Sequence, residues 1–488
     1  MIKAQTVFPR PWFRGKSSIF VAGALLVVGV FLPGAIQAQP TFEVPLYFFG
    51  ATTNDGVQPM AGLVSGPDNA LYGTTSGLGI SNVGTIFKIS RDGSGYRVIH
   101  QFTNNPDGAS PFSALRLADD GLLYGITEYG GTNNAGTIFR ISLNGSLYQV
   151  LRQFNTNTYE AQRPGGQLLQ ANDGVLYGTA ANGGTNGFGA VFRLSPDGTG
   201  YRVLHNFANS PDGANSQSGL IQAGDGLLYG TTPGGGLFGY GTVFRLSTNG
   251  GAYQILHNFT NTPDGNNPQQ LLQARDGSLW SITSGGGVPG LGTIFQMNLD
   301  GSGYHILHNF TNGLDARIPL SGLTQAADGT LYGVSYFGGA NNEGAIYRID
   351  PGGANYSVVY SFSNNPNPPY SHADGSNPHG VLLAGSSTDN STVLYGTTAN
   401  GGPGFGNLSV YFGSVFGFVV NPGLTITPLN NQNVVMWPAW ALNYVLQTTT
   451  NLASGPWTSV TNGVPLAGLQ MTNTTFPANS YFRLVWPQ

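Results

Sequence analysis

The sequence has no cysteine among its 488 residues. This absence excludes disulfide bonds, zinc–thiolate sites, iron–sulfur clusters, cysteine nucleophiles and a lipoprotein anchor. Charged residues are also scarce, at 8% of the chain, whereas ordinary globular proteins have about 25%. The net charge is −4, and no basic cluster follows the N-terminal segment. We therefore expect no nucleic-acid partner and no anionic-membrane partner, because both require concentrated lysine and arginine.

One apolar run near the N-terminus, Ile19–Leu32, has the properties of an export signal. It is 14 residues long, which is too short for a comfortable membrane span. Basic residues precede it, and Ala35–Ala38 offers a cleavage site. The sequence therefore predicts a signal peptide at residues 1–38, no transmembrane span in the mature chain, and a secreted, periplasmic or cell-surface protein. Because Ile36 is larger than the ideal residue at its position, an uncleaved anchor is the alternative.

Glycine and aromatic residues are abundant, and they recur with a period near 50 residues. Glycine accounts for 75 residues, and aromatic residues for 12% of the chain. A Leu-Tyr-Gly tripeptide or a variant of it occurs seven times, centred on Tyr72, Tyr124, Tyr177, Tyr229, Trp280, Tyr332 and Tyr395. A second signal, Gly-Thr-Ile-Phe or a variant, follows each of them. Such a period predicts tandem propeller blades.

Each unit contains four short segments with strand character. In one unit these are residues 218–223, 227–232, 242–247 and 253–259, separated by Asp-Gly, glycine-rich and Asn-Gly turns. β-Branched and aromatic residues bounded by such turns predict antiparallel hairpins. Seven such units predict an all-β fold, a seven-bladed β-propeller over residues 39–421. Parallel β-helices and open solenoids are the alternatives.

The two ends of the repeat region are complementary. Phe42–Phe49 resembles the fourth strand of a unit, and the seventh unit stops after its third strand near Val419. We therefore expect the N-terminal segment to supply the outer strand of the last blade, which leaves no unpaired edge. The phenylalanine of each third strand, such as Phe244, should lie between neighbouring blades. The first strands are small and apolar, which is suited to the centre of a ring.

The composition changes after Pro422. The repeat signals stop, and four tryptophans follow: Trp437, Trp440, Trp457 and Trp486. Short segments with strand character predict a small β-sandwich of fibronectin or immunoglobulin type at residues 422–488. This region resembles a C-terminal module of large secreted bacterial proteins.

The repeat unit itself resembles the GloVer tandem repeat of exported bacterial proteins. The resemblance lies in Asp-Gly-x-Leu-Tyr-Gly-Thr-Thr, then Gly-Gly, Gly-Thr-Ile-Phe-Arg-Ile and Leu-His-x-Phe, from Phe42 to about Val419. It implies export and a repeat fold, and it implies no catalytic residues. Anchored members end in a hydrophobic tail and a basic cluster, whereas this sequence ends in Val-Trp-Pro-Gln, so we do not expect anchoring by that route.

Two sets of loops should lie on the same face of a propeller: those joining second to third strands, and those joining blades. Both are long here, and binding residues commonly lie in such loops. Each loop between blades carries one acid: Asp55, Asp107, Glu160, Asp212, Asp264, Asp315 and Asp374. These carboxylates could hold calcium or sugar hydroxyls. Their presence in every blade favours the alternative, a turn formed by aspartate.

Aromatic residues among the loop glycines are further candidates for ligand binding, in particular Tyr129, Phe188, Tyr240 and Phe337. Four histidines, His100, His205, His257 and His308, occupy one position on different blades, so they cannot share a metal ion. His372 and His379 flank Asp374, a spacing that also permits metal binding, although the glycine, proline and asparagine around them disfavour a rigid site. No Gly-x-Ser-x-Gly or His-Glu-x-x-His motif occurs. We expect no catalytic residue, metal or cofactor.

These observations favour a non-enzymatic extracellular scaffold, monomeric, that binds polysaccharide or a surface protein. The alternative is a propeller glycoside hydrolase or polysaccharide lyase. An enzyme of that kind would need carboxylates, or a tyrosine or histidine base, converging at the ring centre.

Overall fold

The structure is a computed structural model. It describes residues 43–50, 55–78, 83–156, 159–363, 374–386, 392–401 and 412–421, and the strands 425–429, 432–436, 445–449, 458–459, 471–472 and 481–485. All regular structure in these ranges is β-strand. No helix in the described part of the chain has the length and apolar character needed to cross a membrane.

Seven antiparallel sheets of four principal strands follow one another along the chain, and they form a seven-bladed β-propeller. The predicted all-β, seven-bladed propeller is confirmed, and the parallel β-helix is wrong because neighbouring strands run antiparallel, as in blade 4. The strands are, in blade 1, Val64–Ser65, Ala70–Thr75, Thr85–Ser90 and Arg97–Gln101; in blade 2, Arg116–Leu117, Leu123–Thr127, Thr137–Ile141 and Tyr148–Gln153; in blade 3, Ala161–Gln170, Leu176–Gly183, Ala190–Leu194 and Arg202–Asn206; in blade 4, Ile221–Gln222, Leu228–Thr232, Thr242–Leu246 and Gln254–Asn258; in blade 5, Leu272–Gln273, Leu279–Gly285, Thr293–Met297 and His305–Asn309; in blade 6, Thr324–Gln325, Leu331–Ser335, Ala345–Ile349 and Ser357–Ser361; and in blade 7, Ser376–Ser386, Thr392–Asn400, Ser414–Asn421 and Glu43–Phe48.

Three short pairings supplement the blades. Asn266–Pro268 adds to the sheet of blade 5. Gly56–Val57 pairs with Gly77–Leu78, and Ala316–Arg317 pairs with Phe337–Gly338. All of them involve loops that join blades.

The glycine of Leu-Tyr-Gly makes room for the phenylalanine of the next strand. In blade 4, Gly230 is paired with Phe244 across the two strands. A Cβ atom on Gly230 would lie 2.6 Å from Phe244 Cζ, a distance that excludes any larger residue. The two sequence signals are therefore two halves of one packing arrangement.

Phe244 lies between blades, as predicted. Its side chain has no exposed surface and belongs to a cluster that joins Tyr177 and Phe207 of blade 3 to Leu220 and Leu246 of blade 4. Burial of one such aromatic side chain contributes about 1.5–3 kcal/mol. The core of the propeller is thus a ring of interfaces between blades.

In blades 2, 3 and 4 the aspartate of the Asp-Gly turn accepts a hydrogen bond from the tyrosine four residues later. In blade 4, the Tyr229 hydroxyl donates to Asp225 Oδ2 at 2.6 Å, and the Leu227 amide donates to Asp225 Oδ1 at 3.0 Å. The same hydroxyl lies 3.2 Å from the carbonyl oxygen of Leu299 in blade 5. One tyrosine therefore fixes both its own hairpin and the neighbouring blade.

The loops that join second to third strands bind the loops that join blades. At seven equivalent positions, a backbone amide in a loop between blades donates to a backbone carbonyl in a loop that joins a second to a third strand. The donor and acceptor residues are Gln58 and Phe412, Ser110 and Val83, Arg163 and Ala135, Asn215 and Phe188, Asn267 and Tyr240, Ile318 and Leu291, and Asn377 and Glu343. Every donor residue has a positive φ, between 50° and 62°. Both sets of loops therefore share one face, which we name the loop face; the opposite face, made of the short turns, is the hairpin face.

The strand Glu43–Phe48 lies beside Ser414–Asn421 in the sheet of blade 7. The Tyr47 ring stacks on Tyr96 of blade 1 with centroids 3.7 Å apart. The buried ring of Phe49 meets Phe87, also of blade 1, at 5.1 Å.

Contacts divide the chain into two compact units. One consists of Glu43–Ala384 and Tyr395–Gly417; the other includes Gly385–Leu394 and Phe418–Gln488. The strands of the C-terminal region form two three-stranded sheets, in the orders Thr425–Leu429, Gln432–Met436, Met471–Thr472 and Thr458–Ser459, Val445–Thr449, Tyr481–Val485. The β-sandwich and the boundary at residue 422 stay predictions. The predicted signal peptide lies outside the described residues.

Candidate binding face and axial cavity

Four of the seven acids between blades accept hydrogen bonds from the four equivalent histidines. The distances between carboxylate oxygen and histidine Nε2 are 3.1 Å for Asp107 and His100, 2.9 Å for Asp212 and His205, 3.0 Å for Asp264 and His257, and 3.1 Å for Asp315 and His308. Each carboxylate also accepts a backbone amide, from Thr103, Ala208, Thr260 and Thr311 respectively. The four acids therefore have the local bonding of turn residues.

Each of these histidines also stacks on a tyrosine of the following blade. The ring centroids are 3.5–3.8 Å apart in the pairs His100–Tyr148, His205–Tyr253, His257–Tyr304 and His308–Tyr356. The acid, the histidine and the tyrosine form one clamp across each junction, which we name the junction clamp. The sequence showed the histidines and acids, but the tyrosines lie 40 or 41 residues from the acids they approach, so their role was missed.

The remaining acids have different partners at the equivalent place. Glu160 pairs with Arg152 at 2.8 Å, and the Arg152 guanidinium lies over the Tyr201 ring. Asp374 accepts the Tyr360 hydroxyl and the Ser363 amide. Asp55 accepts the hydroxyls of Tyr47 and Tyr96. All seven acids therefore occupy the equivalent position between blades, but the side chain that the carboxylate binds is not the same in every blade.

Of the four aromatic candidates, two reach the surface of the loop face. Phe188 is 37% exposed and Tyr240 is 40% exposed. Tyr129 and Phe337 are half-buried, with the guanidinium groups of Arg163 and Arg317 over their rings.

Apolar exposure is concentrated on the loop face. Among the described residues, nine large apolar side chains are exposed, and eight of them lie in loops of this face: Phe112, Tyr159, Phe188, Leu237, Phe238, Tyr240, Val288 and Leu314. The ninth, Leu147, lies on the hairpin face. Leu237, Val288 and Leu314 were not among the sequence candidates; their only signal is an apolar residue inside a glycine-rich or polar loop.

An axial cavity of about 600 Å³ lies at the centre of the ring. Residues at or just before the first strand of all seven blades line it, so it follows the propeller axis. The expectation of small, apolar lining residues is only partly correct, because Gln167, Gln217, Gln269 and Gln270 line it together with serines. Glu128 and His379 are the titratable side chains of the described lining.

His379 is held at the cavity wall by the backbone. Its Nδ1 atom lies 2.6 Å from the carbonyl oxygen of Met60, so Nδ1 carries the proton and donates. Burial lowers the pKa of this imidazole, which favours the neutral form, although the Met60 contact opposes the shift. His372 lies outside the described residues, and among the described ones no group of three or more His, Asp or Glu side chains could hold a metal ion.

The model of the Gloeobacter/Verrucomicrobia repeat matches residues 35–232 and 218–427. The chain belongs to this repeat family. The two matches together span the seven blades, whose sequence signals indicated this GloVer family. No curated protein matches the chain.

Solved structures that resemble the GloVer propeller are distant. The extracellular domain of a hybrid two-component system from B. thetaiotaomicron has 10% identity and a TM-score of 0.49, over 91% of this chain and 53% of that one, so this chain spans about half of its length. A gluconolactonase from Xanthomonas campestris has 17% identity and a TM-score of 0.36, over 58% and 84%. A nidogen/laminin complex has 18% identity and a TM-score of 0.35, over 51% and 80%. Similarity at these values carries no inference about activity.

The junction clamps of the GloVer repeats predict a loss of stability in acid. Burial alone would raise the pKa of Asp107, but hydrogen bonds from His100 and Thr103 outweigh it, and the pKa lies below its usual value. The carboxyls of the other three histidine clamps shift in the same direction. A carboxyl with a lowered folded-state pKa stabilises the fold above the unfolded pKa, and this contribution is lost as pH falls through the folded pKa.

We therefore expect the free energy of unfolding to fall steeply below about pH 4, where unfolded aspartate begins to bind protons. An Asp107→Asn variant should be less stable at pH 7 by about 1–3 kcal/mol and should show a shallower decline between pH 5 and pH 3. Denaturant unfolding at a series of pH values measures both quantities. Equal acid slopes for the parent and the variant would refute the assignment of the clamp.

Proposed function

We propose that the GloVer propeller is an exported, non-enzymatic scaffold that binds polysaccharide on its loop face. The observation that carries this proposal is the unequal exposure of large apolar side chains, which among the described residues number eight on the loop face and one on the hairpin face. Exposed apolar groups gathered on one surface are typical of a binding site. A rigid ring that presents long loops is suited to this role.

The chemistry of the loop face favours a sugar polymer over a protein. Phe188, Phe238 and Tyr240 expose rings on loops of neighbouring blades, and a pyranose packs its C–H groups on such rings. The loop around Phe188 carries asparagine and threonine, and neither this loop nor the one around Phe238 and Tyr240 contains a charged residue. Neutral polar groups such as asparagine and threonine exchange hydrogen bonds with hydroxyls. Protein interfaces are instead enriched in arginine beside their aromatic residues, and the loops that carry these three rings contain no arginine.

The arrangement of acids supports binding without turnover. Glycoside hydrolysis generally uses two carboxyl groups at opposite sides of the scissile bond. The described lining of the axial cavity contains one, that of Glu128, while Glu160 is paired with Arg152 and Asp374 with Tyr360 at the junctions. The competing enzyme would therefore have to use Glu128 or His379, because His379 is the one imidazole of that lining.

Export and ring closure belong to the same proposal. The family match and the apolar segment Ile19–Leu32 support an exported protein. We propose that Glu43–Phe48 closes the ring as the outer strand of blade 7. The stacking of Tyr47 on Tyr96 supports this, since it repeats the stacking of His100 on Tyr148 at the next junction.

A panel of neutral and acidic polysaccharides tests binding against turnover. We expect retarded migration of the protein in gels that contain at least one polysaccharide, with no release of reducing ends and no absorbance from unsaturated lyase products. Glu128→Gln, His379→Gln, Glu160→Gln and Asp374→Asn are the control variants. If the parent degrades a polysaccharide and any of these four variants loses that activity, the protein is an enzyme and the scaffold proposal is wrong.

A further inference from the structure

Three neighbouring blades have the same tip on the loop that joins the second strand to the third. In blades 3, 4 and 5 the tips are residues 184–189, 236–241 and 287–292, and each has the sequence Gly-x-x-Gly, then Phe, Tyr or Leu, then Gly. Each tip forms the same isolated parallel bridge, between Gly183 and Phe188, Gly235 and Tyr240, and Gly286 and Leu291. We name the three tips together the tip arc. Their shared backbone places equivalent side chains at equivalent points of the loop face.

The tip arc ends at blades 2 and 6. The glycine at the fourth position of each tip has a positive φ, between 80° and 102°. In blades 2 and 6 this glycine is replaced by Asn134 and Asn342, whose side-chain oxygens accept a backbone amide of their own loop at 2.9 Å and 3.1 Å. The apolar residue that follows is replaced by the buried Ala135 and by Glu343. The series of three apolar tips is therefore bounded on both sides.

Hydrogen bonds fix each tip of the arc at both ends. The amide of the second tip residue donates to an asparagine of the fourth strand, at 3.0 Å for Thr185 and Asn206, 2.8 Å for Leu237 and Asn258, and 3.0 Å for Val288 and Asn309. The carbonyl oxygen of the fifth tip residue accepts an amide from the next loop between blades, at Phe188, Tyr240 and Leu291. The tips are thus ordered before a ligand arrives, so binding loses little conformational entropy.

The exposed side chains of the tip arc are mostly apolar, and none is charged. Five of the nine exposed large apolar side chains of the described residues lie in it: Phe188, Leu237, Phe238, Tyr240 and Val288. The three tips contain no charged residue. The acids of the loops between these blades, Asp212 and Asp264, are held by histidines in junction clamps. A ligand on the tip arc therefore meets apolar surface beside neutral polar groups, which suits a sugar without charge.

The spacing of the three blades exceeds the size of a single sugar. Blades 3, 4 and 5 are consecutive layers, joined by one buried cluster between blades 3 and 4 and by another between blades 4 and 5. Sheets packed face to face lie about 10 Å apart, so neighbouring tips are separated by more than the length of one sugar ring. A single sugar therefore contacts one tip, whereas a chain of sugars contacts two or three.

We propose that the tip arc binds an internal segment of a linear, neutral polysaccharide, with each tip as a separate subsite along the chain. The inference rests on the proposed polysaccharide binding, and it adds the part of the loop face, the class of polymer and the way the chain is recognised. Three equivalent subsites in series require a continuous chain and leave its two ends unbound. Because contacts joined along one chain reinforce one another, the affinity should rise steeply with chain length.

Oligosaccharides of defined length test this dependence. The probes are fragments of cellulose, laminarin, mannan and chitin, from the monosaccharide to the octasaccharide, with oligogalacturonides as the charged counterpart, titrated by calorimetry against the full mature chain. For at least one neutral series, we expect the octasaccharide to bind at least about a hundredfold more tightly than the monosaccharide, and more tightly than the oligogalacturonide of equal length. Chemical reduction of the chain end should leave the affinity for the octasaccharide unchanged, because the ends are not recognised.

Variants at the two ends of the arc test whether one chain spans it. Phe188→Ala in blade 3 and Val288→Ser in blade 5 should each weaken octasaccharide binding by about threefold to fivefold, and their combination should multiply the two losses, because the sites are separate. Asn133→Ala is the matched control, since it changes the second variable tip position in blade 2, outside the arc. All these side chains are exposed except that of Phe188, which is 37% exposed and projects from a tip, so each variant should melt as the parent does.

The outcomes separate this inference from the proposed function. A parent that binds no polysaccharide, or a Phe188→Ala/Phe238→Ala/Tyr240→Ala variant that binds it as the parent does, overturns the proposed function and the inference with it. Polysaccharide binding that is lost in this triple variant keeps the proposed function. In that case, equal affinity for short and long oligosaccharides, a loss on chain-end reduction, tighter binding of oligogalacturonides, no loss in one of the two end variants, or an equal loss in Asn133→Ala overturns the inference alone.

Discussion

Replacing Phe244 with alanine should lower the free energy of unfolding by about 3–5 kcal/mol, the usual cost of removing a buried aromatic ring. The Phe244 side chain is completely buried between blades 3 and 4. Its ring also occupies the space that Gly230 leaves empty, and a rigid strand cannot readily move to refill that space.

Denaturant unfolding measures the effect, with Phe238→Ala as the control in the same blade. Phe238 is 52% exposed, so its replacement should change stability by less than about 0.5 kcal/mol. A loss below about 1 kcal/mol for Phe244→Ala would mean that the interfaces between blades are not the core.

Removing the N-terminal strand should have an effect of similar size. A chain that begins at residue 51 lacks Tyr47 and Phe49, whose rings meet blade 1. Loss of two aromatic contacts at about 1.5–3 kcal/mol each gives roughly 3–6 kcal/mol. The outer edge of Ser414–Asn421 also becomes unpaired, and unpaired edges promote aggregation.

The matched control is a chain that begins at residue 43, which keeps the strand and lacks the same preceding segment. We expect this control to melt as the full mature chain does, and the shorter chain to melt at a much lower temperature or to aggregate. Identical melting temperatures for the two truncated chains would refute ring closure by Glu43–Phe48.

The repeated fold was predictable because the residues that pack together within a blade are close to one another in the sequence. Gly230 and Phe244 are 14 residues apart and pair directly across two strands, and Asp225 and Tyr229 bond within one hairpin. These contacts lie inside a single period of the sequence, so seven copies reinforce one interpretation. The strand ends were less exact: the first strand expected at 218–223 is Ile221–Gln222, and Ser218 and Gly219 line the axial cavity instead.

The candidate site was less predictable, since it is built from residues of different blades. The lining of the axial cavity combines residues of all seven blades, from Ala61 of blade 1 to His379 of blade 7, which surround one space only in the folded ring. Exposure of Leu237 and Val288 also depends on how far each glycine-rich loop projects, which composition does not determine.

The central claim is that the loop face binds polysaccharide, and the most direct test is the affinity of matched face variants. The measurement is a calorimetric titration of the parent, of Phe188→Ala/Phe238→Ala/Tyr240→Ala and of Leu147→Ala with the polysaccharide that retards the parent. The triple variant should bind at least about thirtyfold more weakly, since exposed aromatic anchors each contribute on the order of 1 kcal/mol or more. Leu147→Ala, on the hairpin face, should bind as the parent does. A parent that binds no polysaccharide, a triple variant of unchanged affinity, or equal losses in both variants would contradict the account.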